Sequence, residues 1–257
     1  MSLIDTHAHL DQLENLDEAL KSARQAGVEA VGAVSMNLAS CRRNLEIKRT
    51  FTQPKIYLAM GIHPAEADKE ELEPCLKFIR EHKDEVSAIG EIGLDFWYKW
   101  ARKDEEKKRA QRESFLALLD LAREHNVPAI IHSRGTWREC LDTAKNAGVA
   151  RAVFHWYSGP LDVLEGIIAA GYFISASPAL ATSAQSREAA LRVPIERLLL
   201  ETDCPVVYKM PDSEEEIHSE PKDVSRTLKY YCQLKGLEEE KVVDIFNRNA
   251  KIFFEKK

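Results

Sequence analysis

Several features that would point directly to a function class are missing from this chain of 257 residues. Its five cysteines lie far apart and form no Cys-x-x-Cys pair, which argues against a thiolate zinc site and for a reducing compartment. No stretch approaches the roughly 20 apolar residues that span a bilayer. The N-terminus has no basic segment followed by an apolar run. We therefore expect a cytoplasmic protein without export or a membrane partner.

An excess of basic residues is also missing, because the formal net charge is −6. This charge does not by itself indicate nucleic-acid binding, although bound metal ions would add local positive charge that the count omits. Apolar residues make up 44% of the chain, which is enough for a sizeable core. A length of 257 residues is the usual size of one (β/α)8 barrel.

Short apolar runs alternate with longer amphipathic segments at a spacing of about 25 to 40 residues. The apolar runs predict eight strands, at 3–6, 28–34, 56–61, 86–92, 129–132, 152–155, 172–176 and 198–202. The other segments predict helices, at 13–26, 39–50, 69–82, 104–125, 136–147, 161–170, 184–192, 222–235 and 239–254. Strict alternation predicts a parallel sheet, and at this length a TIM-like (β/α)8 barrel with residues 1–257 as a single domain. A doubly wound open sheet is the alternative, which the absence of G-x-G-x-x-G after the first strand disfavours.

Histidine is concentrated where the predicted strands end. His7 and His9 lie two residues apart at the end of the first strand, so their imidazoles would project to one side and suit metal ligation. His63, His132 and His155 stand at or just past the ends of later strands. In a barrel these ends form one rim, which carries the active site. The alternative for the first pair is two polar side chains at a frayed N-terminus.

Two carboxylates end strands on the same rim. Glu91 lies near the end of the fourth predicted strand and Asp203 follows the eighth. Either residue alone is equally well explained as a helix cap or as the partner of a neighbouring lysine. Together with the rim histidines they make a nitrogen and oxygen ligand set for two divalent cations, which suits Zn²⁺, Mn²⁺ or Mg²⁺. The sequence does not choose among these ions.

Six short motifs occur at predicted strand ends. They are Asp5-x-His7-x-His9-Leu10, Gly61-Ile62-His63-Pro64, Gly90-Glu91-Ile92-Gly93-Leu94-Asp95, His132-Ser133-Arg134, His155-Trp156-Tyr157-Ser158-Gly159 and Glu201-Thr202-Asp203-x-Pro205. Over nearly its whole length the chain thus resembles the TatD-type metal-dependent hydrolases of the amidohydrolase superfamily. The resemblance implies a TIM-like barrel with two metals and cleavage of phosphodiester bonds in DNA, often as a 3′–5′ exonuclease. It also implies that the metal ligands are His7, His9, Glu91, His132, His155 and Asp203, with Glu91 bridging.

The implied chemistry uses a water molecule activated by the two metals. Asp203, a ligand with a free oxygen, is predicted to orient that water and to accept its proton as general base. His63 is predicted to hydrogen-bond the phosphate or the leaving oxygen, or else to orient a neighbouring ligand. Arg134, two residues after His132, is predicted to bind a phosphate through its guanidinium group, the alternative being a surface arginine.

Two segments bear on the substrate. Residues 96–103, here called the aromatic segment, hold four aromatic and three basic side chains. We expect Trp97 and Tyr98 to bind single-stranded nucleic acid, unless the aromatics pack on the barrel, Phe96 first among them. The segment at 212–220 is acidic instead, and of the basic stretch ending Arg-Asn-Glu-Pro that TatD proteins commonly carry there only Glu220-Pro221 remain. The acidic composition leaves room for a shorter or different substrate.

Three functions are consistent with these observations. The first is a metal-dependent deoxyribonuclease acting on DNA or on a smaller phosphodiester. The second is a hydrolase of a non-nucleic-acid ester, amide or lactone on the same binuclear site. Lactonases of the superfamily often bridge their metals with a modified lysine on the fourth strand, where this chain has Glu91. The third is a non-catalytic metal-binding protein, which the complete set of implied ligands disfavours.

Overall fold

The computed structural model describes residues 2–209 and 216–255. Eight parallel strands pair in chain order within one sheet. They are β1 (Leu3–Ala8), β2 (Val28–Ala33), β3 (Lys55–Met60), β4 (Ala88–Gly93), β5 (Ala129–His132), β6 (Ala152–Phe154), β7 (Phe173–Ala176) and β8 (Leu198–Leu200). The described α-helices are α1 (Leu16–Gln25), α2 (Leu38–Thr50), α3 (Lys69–Glu81), α4 (Glu105–Glu124), α5 (Trp137–Asn146), α6 (Leu161–Ala169), α7 (Ala184–Arg192), α8 (Val224–Lys235) and α9 (Glu239–Phe254).

The sheet is joined to itself between β1 and the segment after β8. Ala8 and Cys204 form an isolated parallel bridge. His9 N donates a hydrogen bond to Cys204 O at 2.8 Å, and Asp203 N donates one to His7 O at 2.9 Å. The architecture is therefore the predicted TIM-like (β/α)8 barrel, and the alternative of a doubly wound open sheet is wrong. This junction also brings the two histidines of β1 next to Asp203.

Most strand residues are buried, because both faces of the sheet are covered. This burial explains why the strands are continuously apolar, as in other parallel sheets covered by helices. One inner cluster takes residues from every strand of the barrel. Its strand members are Ile4, Ala30, Tyr57, Ala59, Ala88, Ile130, Val153, Phe173 and Leu199. Phe253 and Phe254 at the end of α9 also belong to this cluster, and Phe253 O accepts a hydrogen bond from Arg151, which directly precedes β6. The end of α9 therefore covers the N-terminal ends of the strands and leaves the opposite rim for the site.

The predicted strands and helices all occur, with differences of a few residues at their ends. The longest helix, α4, begins after Asp104, whose carboxylate accepts hydrogen bonds from the amides of Glu106 and Lys107. Strand β1 extends to Ala8, so His7 lies inside it, and β8 ends at Leu200. A short antiparallel pair was not predicted, β9 (Val207–Lys209) with β10 (Glu216–His218). Among the residues described, no helix is both long and apolar enough to cross a membrane.

Candidate metal centre

The rim histidines converge on Glu91, whose side chain is only 2% exposed. Its Oε2 atom lies 3.3 Å from His7 Nε2 and 3.5 Å from His9 Nε2. Its Oε1 atom lies 2.7 Å from His132 Nδ1 and 2.8 Å from His155 Nε2. One carboxylate oxygen of Glu91 therefore faces the histidines of β1, while the other faces the histidines at the ends of β5 and β6.

Asp203 completes the side of the centre that belongs to β1. Its Oδ1 atom lies 3.3 Å from His7 Nε2 and 3.4 Å from His9 Nε2. Asp203 has a backbone φ of 54°, a left-handed conformation that is uncommon for residues other than glycine. Trp156, next to His155, is also left-handed, with a φ of 41°. Both unusual conformations occur at strand ends that carry site residues, where backbone strain tends to concentrate.

We call His7, His9, Asp203 and Glu91 Oε2 the first donor group, and His132, His155 and Glu91 Oε1 the second donor group. In the first group, one potential ligand atom from each of His7, His9 and Asp203 lies within 4.8 Å of the others. The buried atoms His7 Nε2 and Asp203 Oδ1 have no hydrogen-bond partner among the described residues. Imidazole and carboxylate donors that face each other in this way fit a divalent cation.

The two carboxylates of the centre are held in their ionised form. Burial opposes ionisation of Glu91, but the surrounding imidazoles, chiefly His155, lower its pKa well below the usual range. Burial likewise opposes ionisation of Asp203, but the neighbouring imidazoles of His9 and His7 lower its pKa. Metal binding requires deprotonated carboxylates, so both side chains have the protonation state that a cation needs.

His63 reaches the same centre but presents a hydrogen-bond donor to it. Its Nδ1 atom accepts a hydrogen bond from Ala65 N at 3.0 Å, while its Nε2 lies 3.6 Å from Glu91 Oε1 and 3.3 Å from His132 Nδ1. Burial lowers the pKa of His63 to about 3, so the ring is neutral near pH 7. A neutral imidazole with an accepting Nδ1 carries its proton on Nε2. By distance alone, His63, Glu91 and His132 could form a cation site. The proton on His63 Nε2, however, makes this atom a hydrogen-bond donor and not a metal ligand.

Two buried carboxylates behind the histidines were missed as site residues by the sequence analysis. Asp95 Oδ2 lies 3.0 Å from His132 Nε2, and Glu201 Oε1 lies 3.7 Å from His155 Nδ1. Both belong to motifs already quoted from the sequence, and both are at most 1% exposed. The available signal was an acidic residue within four positions of Glu91 or Asp203, but a sequence does not tell which way such a side chain points.

Asp5, the first residue of the Asp-x-His-x-His motif, supports the centre from outside it. Its carboxylate is fully buried and accepts hydrogen bonds from Thr202 N at 3.0 Å and from Thr202 Oγ1 at 2.6 Å. Thr202 directly precedes Asp203 in the chain. Asp5 thus fastens β1, which carries His7, to the segment that carries Asp203.

A cleft of about 620 Å³ opens over the centre. Its wall includes Tyr98 from the aromatic segment and Arg134 from the turn after β5. Arg134 is exposed and forms no ion pair with any residue that the structure describes. Its guanidinium carbon lies 6.0 Å from the centre of the Trp97 ring, which also has Arg102 at 5.3 Å. Trp97 is 55% exposed and contacts these cations, while Tyr98 lines the cleft itself.

The rest of the aromatic segment is partly covered by the protein's own side chains. The Tyr98 and Trp100 rings stack with their centres 5.2 Å apart, and Lys107 Nζ lies 4.7 Å from the centre of the Trp100 ring. Phe96 is partly buried and packs against the main core, as the alternative interpretation of this segment expected. The segment therefore mixes structural packing with exposure at the cleft.

The segment after β8 also borders the cleft. Val206 contributes to its wall, and the buried Tyr208 donates a hydrogen bond to Thr202 O at 2.8 Å. Three acidic residues of the predicted run at 212–220 lie outside the described residues: Asp212, Glu214 and Glu215. The others have cationic partners, because Glu216 pairs with Lys209 at 3.2 Å and Glu220 with Lys222 at 2.6 Å. The described part of this segment is therefore less negative than its composition indicates.

Comparison with known proteins gives consistent matches along the chain. The family model described as TatD related DNase matches residues 4–255. The human protein named deoxyribonuclease TATDN3 is 29% identical over 269 residues, which covers 100% of this chain and 96% of that protein. A Methanocaldococcus jannaschii protein named as an uncharacterized metal-dependent hydrolase is 32% identical over 259 residues, covering 99% of this chain and 97% of its own.

A solved structure agrees at the level of the fold. The Escherichia coli TatD homolog YjjV superposes with a TM-score of 0.87, covering 99% of this chain and 98% of that one. At 24% sequence identity this likeness shows the fold alone. The family model and the archaeal relative both extend over almost the whole sequence. The chain therefore belongs to the TatD family.

Proposed function

We propose that this protein is a metal-dependent deoxyribonuclease that removes nucleotides from the 3′ end of DNA. The position of Glu91 carries the proposal, because its two oxygens face separate donor groups. Relatives named as deoxyribonucleases and as metal-dependent hydrolases support it. All the donors come from one barrel, and we propose that residues 1–257 act as a single domain.

The two donor groups would each hold one divalent cation, Zn²⁺, Mn²⁺ or Mg²⁺, with Glu91 shared between them. The first would use His7, His9 and Asp203, and the second His132 and His155. When bound, such a pair of ions lowers the pKa of a water molecule and offsets negative charge on a phosphate. The unpartnered buried atoms of His7 and Asp203 support this assignment.

Asp203 is the general base in this proposal. Both oxygens of Glu91 face imidazoles and its side chain is 2% exposed, so Glu91 is suited to holding ions. Asp203 lines the cleft and its side chain is 9% exposed, so it can reach a water molecule there. Its lowered pKa keeps it ionised, which is the form that can accept a proton.

Substrate contacts are proposed for side chains of the cleft wall. His63 would donate its Nε2 proton to the phosphate or to the leaving oxygen, since Nδ1 already accepts from Ala65 N. Arg134 would bind a phosphate, because its guanidinium group is exposed at the cleft. Tyr98 would contact a base directly, whereas Trp97 would act by holding Arg134 in place.

The experiment is cleavage of a 5′-labelled single-stranded oligonucleotide by protein reconstituted with Mn²⁺, read as a ladder of products on a gel. We expect stepwise shortening that disappears with a chelator and in Asp203→Asn. Asp17→Asn, on the exposed first turn of α1, is the matched control and should cleave normally. An uncut oligonucleotide with metal shown to be bound would overturn the proposal. Ester, amide and lactone substrates would then test the alternative hydrolase on the same centre.

A further inference from the structure

Asp95 joins the second donor group to the aromatic segment. It lies two residues after β4 and is fully buried. Its Oδ2 atom lies 3.0 Å from His132 Nε2. Its Oδ1 atom accepts hydrogen bonds from Trp97 N at 2.8 Å and from Tyr98 N at 3.3 Å. One carboxylate therefore contacts both a donor of the centre and the backbone that carries the cleft residue Tyr98.

The backbone of Asp95 is itself held by α4. Asp95 N donates a hydrogen bond to Gln111 Oε1 at 2.9 Å, and Gln111 Nε2 donates one to Asp95 O at 3.3 Å. Gln111 is 1% exposed, so these bonds are shielded from water. The Asp95 carboxylate is thus anchored independently of the groups that it contacts.

The position of Asp95 bears on the protonation of the His132 ring. His132 Nδ1 points at Glu91 Oε1 at a distance of 2.7 Å. A ring nitrogen that binds a cation must be unprotonated, and a neutral imidazole carries a single proton. The proton of His132 must then be on Nε2, where Asp95 Oδ2 can accept it. Carboxylates that accept the second N–H of a metal-bound histidine commonly fix its tautomer and ring orientation.

We propose that Asp95 is a positioning residue with two tasks, setting the tautomer of His132 and holding Tyr98 at the cleft wall. The proposal rests on the metal centre described under the proposed function. It adds that the cation site and the substrate-facing segment share one anchor. Disturbing Asp95 should therefore affect both metal binding by the second donor group and the binding of substrate.

Asp95→Asn tests the first task with almost no change of shape. The oxygen of the new amide is required at the Oδ1 position, because two backbone N–H groups donate there. The amide nitrogen must then face His132 Nε2 and donate to it. This makes Nε2 an acceptor and moves the ring proton to Nδ1, the nitrogen that faces Glu91. The variant inverts the tautomer that the second donor group needs.

The proton on His132 Nε2 can be detected directly by long-range ¹H–¹⁵N NMR of histidine rings in the metal-free protein, with His132 assigned from the signals missing in His132→Gln. We expect a protonated Nε2 in the wild type and an unprotonated Nε2 in Asp95→Asn. Calorimetry with Zn²⁺ should show affinity at one site lowered about 10- to 100-fold and the other site unchanged. Asp104→Asn is the matched control, since Asp104 also accepts from two following amides but has no histidine contact among its hydrogen bonds.

Asp95→Ser separates the two tasks. It also provides a second test of the proposal if the asparagine variant fails to fold. A serine hydroxyl can still accept from the Trp97 and Tyr98 amides but is too short to reach His132. We expect weaker Zn²⁺ binding with a nearly unchanged KM for substrate. An unchanged His132 tautomer in Asp95→Asn together with wild-type Zn²⁺ affinity in both variants would overturn the proposal. The NMR signal of His132 and the Zn²⁺ affinities do not depend on DNA cleavage, so a failure of the deoxyribonuclease proposal would be recognised separately.

Discussion

The imidazole rings of His7 and His155 stack face to face, with centres 4.2 Å apart and planes inclined by 14°. His7 comes from β1 and His155 follows β6, so the stack joins non-adjacent parts of the barrel. Each ring turns Nε2 toward Glu91. The Nδ1 atoms of both rings and Glu201 Oε2 are buried and have no hydrogen-bond partner among the described residues. One potential ligand atom from each of His7, His155 and Glu201 lies within 4.8 Å of the others.

Glu201→Gln should therefore weaken both donor groups. Glu201 Oε1 lies 3.7 Å from His155 Nδ1, and we expect Glu201 to accept the second ring proton of both histidines when metal is bound. Loss of such a partner typically costs 10- to 100-fold in metal affinity. We expect a decrease of about that size for both Zn²⁺ ions in isothermal titration calorimetry. Glu196→Gln, at an exposed position just before β8, is the control. Glu201 Oε1 also accepts a hydrogen bond from Trp156 N at 2.8 Å, and wild-type metal affinity in Glu201→Gln would show that Glu201 serves only this backbone contact.

Substituting Glu91 should affect the binding of two metal ions, whereas substituting one of the histidines should affect the binding of only one. Because Glu91 contributes an oxygen to each donor group, Glu91→Ala should leave both sites weak. His9→Ala and His132→Ala should each remove one ion and retain the other. The measurement is metal content by mass spectrometry after desalting, with His82→Ala at the end of α3 as control. Retention of two ions by Glu91→Ala would contradict a shared carboxylate.

The positions of the strands and of the rim residues could be predicted from the sequence for physical reasons. Strands buried on both faces are continuously apolar, and parallel strands in a barrel present their carboxyl ends on one rim. The grouping of His7 with Asp203 follows from this rule, although their sequence positions are far apart. Likewise, the helix predicted at 104–125 begins within one residue of its predicted start, where the Asp104 carboxylate caps α4.

Side-chain directions outside the regular elements could not be predicted. Asp95 and Glu201 lie just past strand ends, where the alternation of a strand no longer tells which way a residue points. The left-handed backbone of Asp203 could not be predicted either, because aspartate adopts this conformation more often than most residues but still only in a small fraction of cases. The β9–β10 pair was missed because its two strands are only three residues long and the sequence around them is acidic.

Arg134→Ala should mainly raise KM for an oligonucleotide. A hydrogen bond to a charged group contributes about 1.5–3 kcal/mol, which corresponds to an increase in KM of roughly 10-fold or more. Trp97→Leu should have a smaller effect in the same direction, because it removes the ring beside Arg134 but keeps the cation. Steady-state kinetics would measure both. Arg138→Ala, which breaks an exposed ion pair with Asp162, is the control and should behave as wild type. A normal KM in Arg134→Ala would refute the phosphate contact.

Asp5→Ala should destabilise the fold as well as the centre. The substitution leaves Thr202 N and Thr202 Oγ1 without their buried acceptor, and each such loss costs about 1–3 kcal/mol. We expect the free energy of unfolding to fall by roughly 3 kcal/mol in urea denaturation of the metal-free protein. Asp17→Ala on the exposed face of α1 is the comparison and should change it far less. Equal stability of the two variants would mean that Asp5 does not fasten β1 to the Asp203 segment.

Gly93→Ala should disrupt the second donor group through a backbone clash. Gly93 has a φ of 146°, and a Cβ atom there would lie 1.9 Å from His132 O. Gly171→Ala is the matched control, because Gly171 also has a positive φ, 76°, but no atom within 4 Å of such a Cβ. The free energy of unfolding of this control should fall by only about 1–2 kcal/mol, which is the conformational cost of a left-handed alanine. Gly93→Ala must also push β5 away from β4, which displaces the His132 ring from Glu91. We therefore expect a much larger loss of unfolding free energy in urea, together with loss of one bound Zn²⁺. If both variants unfold at the same urea concentration and bind Zn²⁺ equally, the close approach of β4 to β5 is not what positions His132.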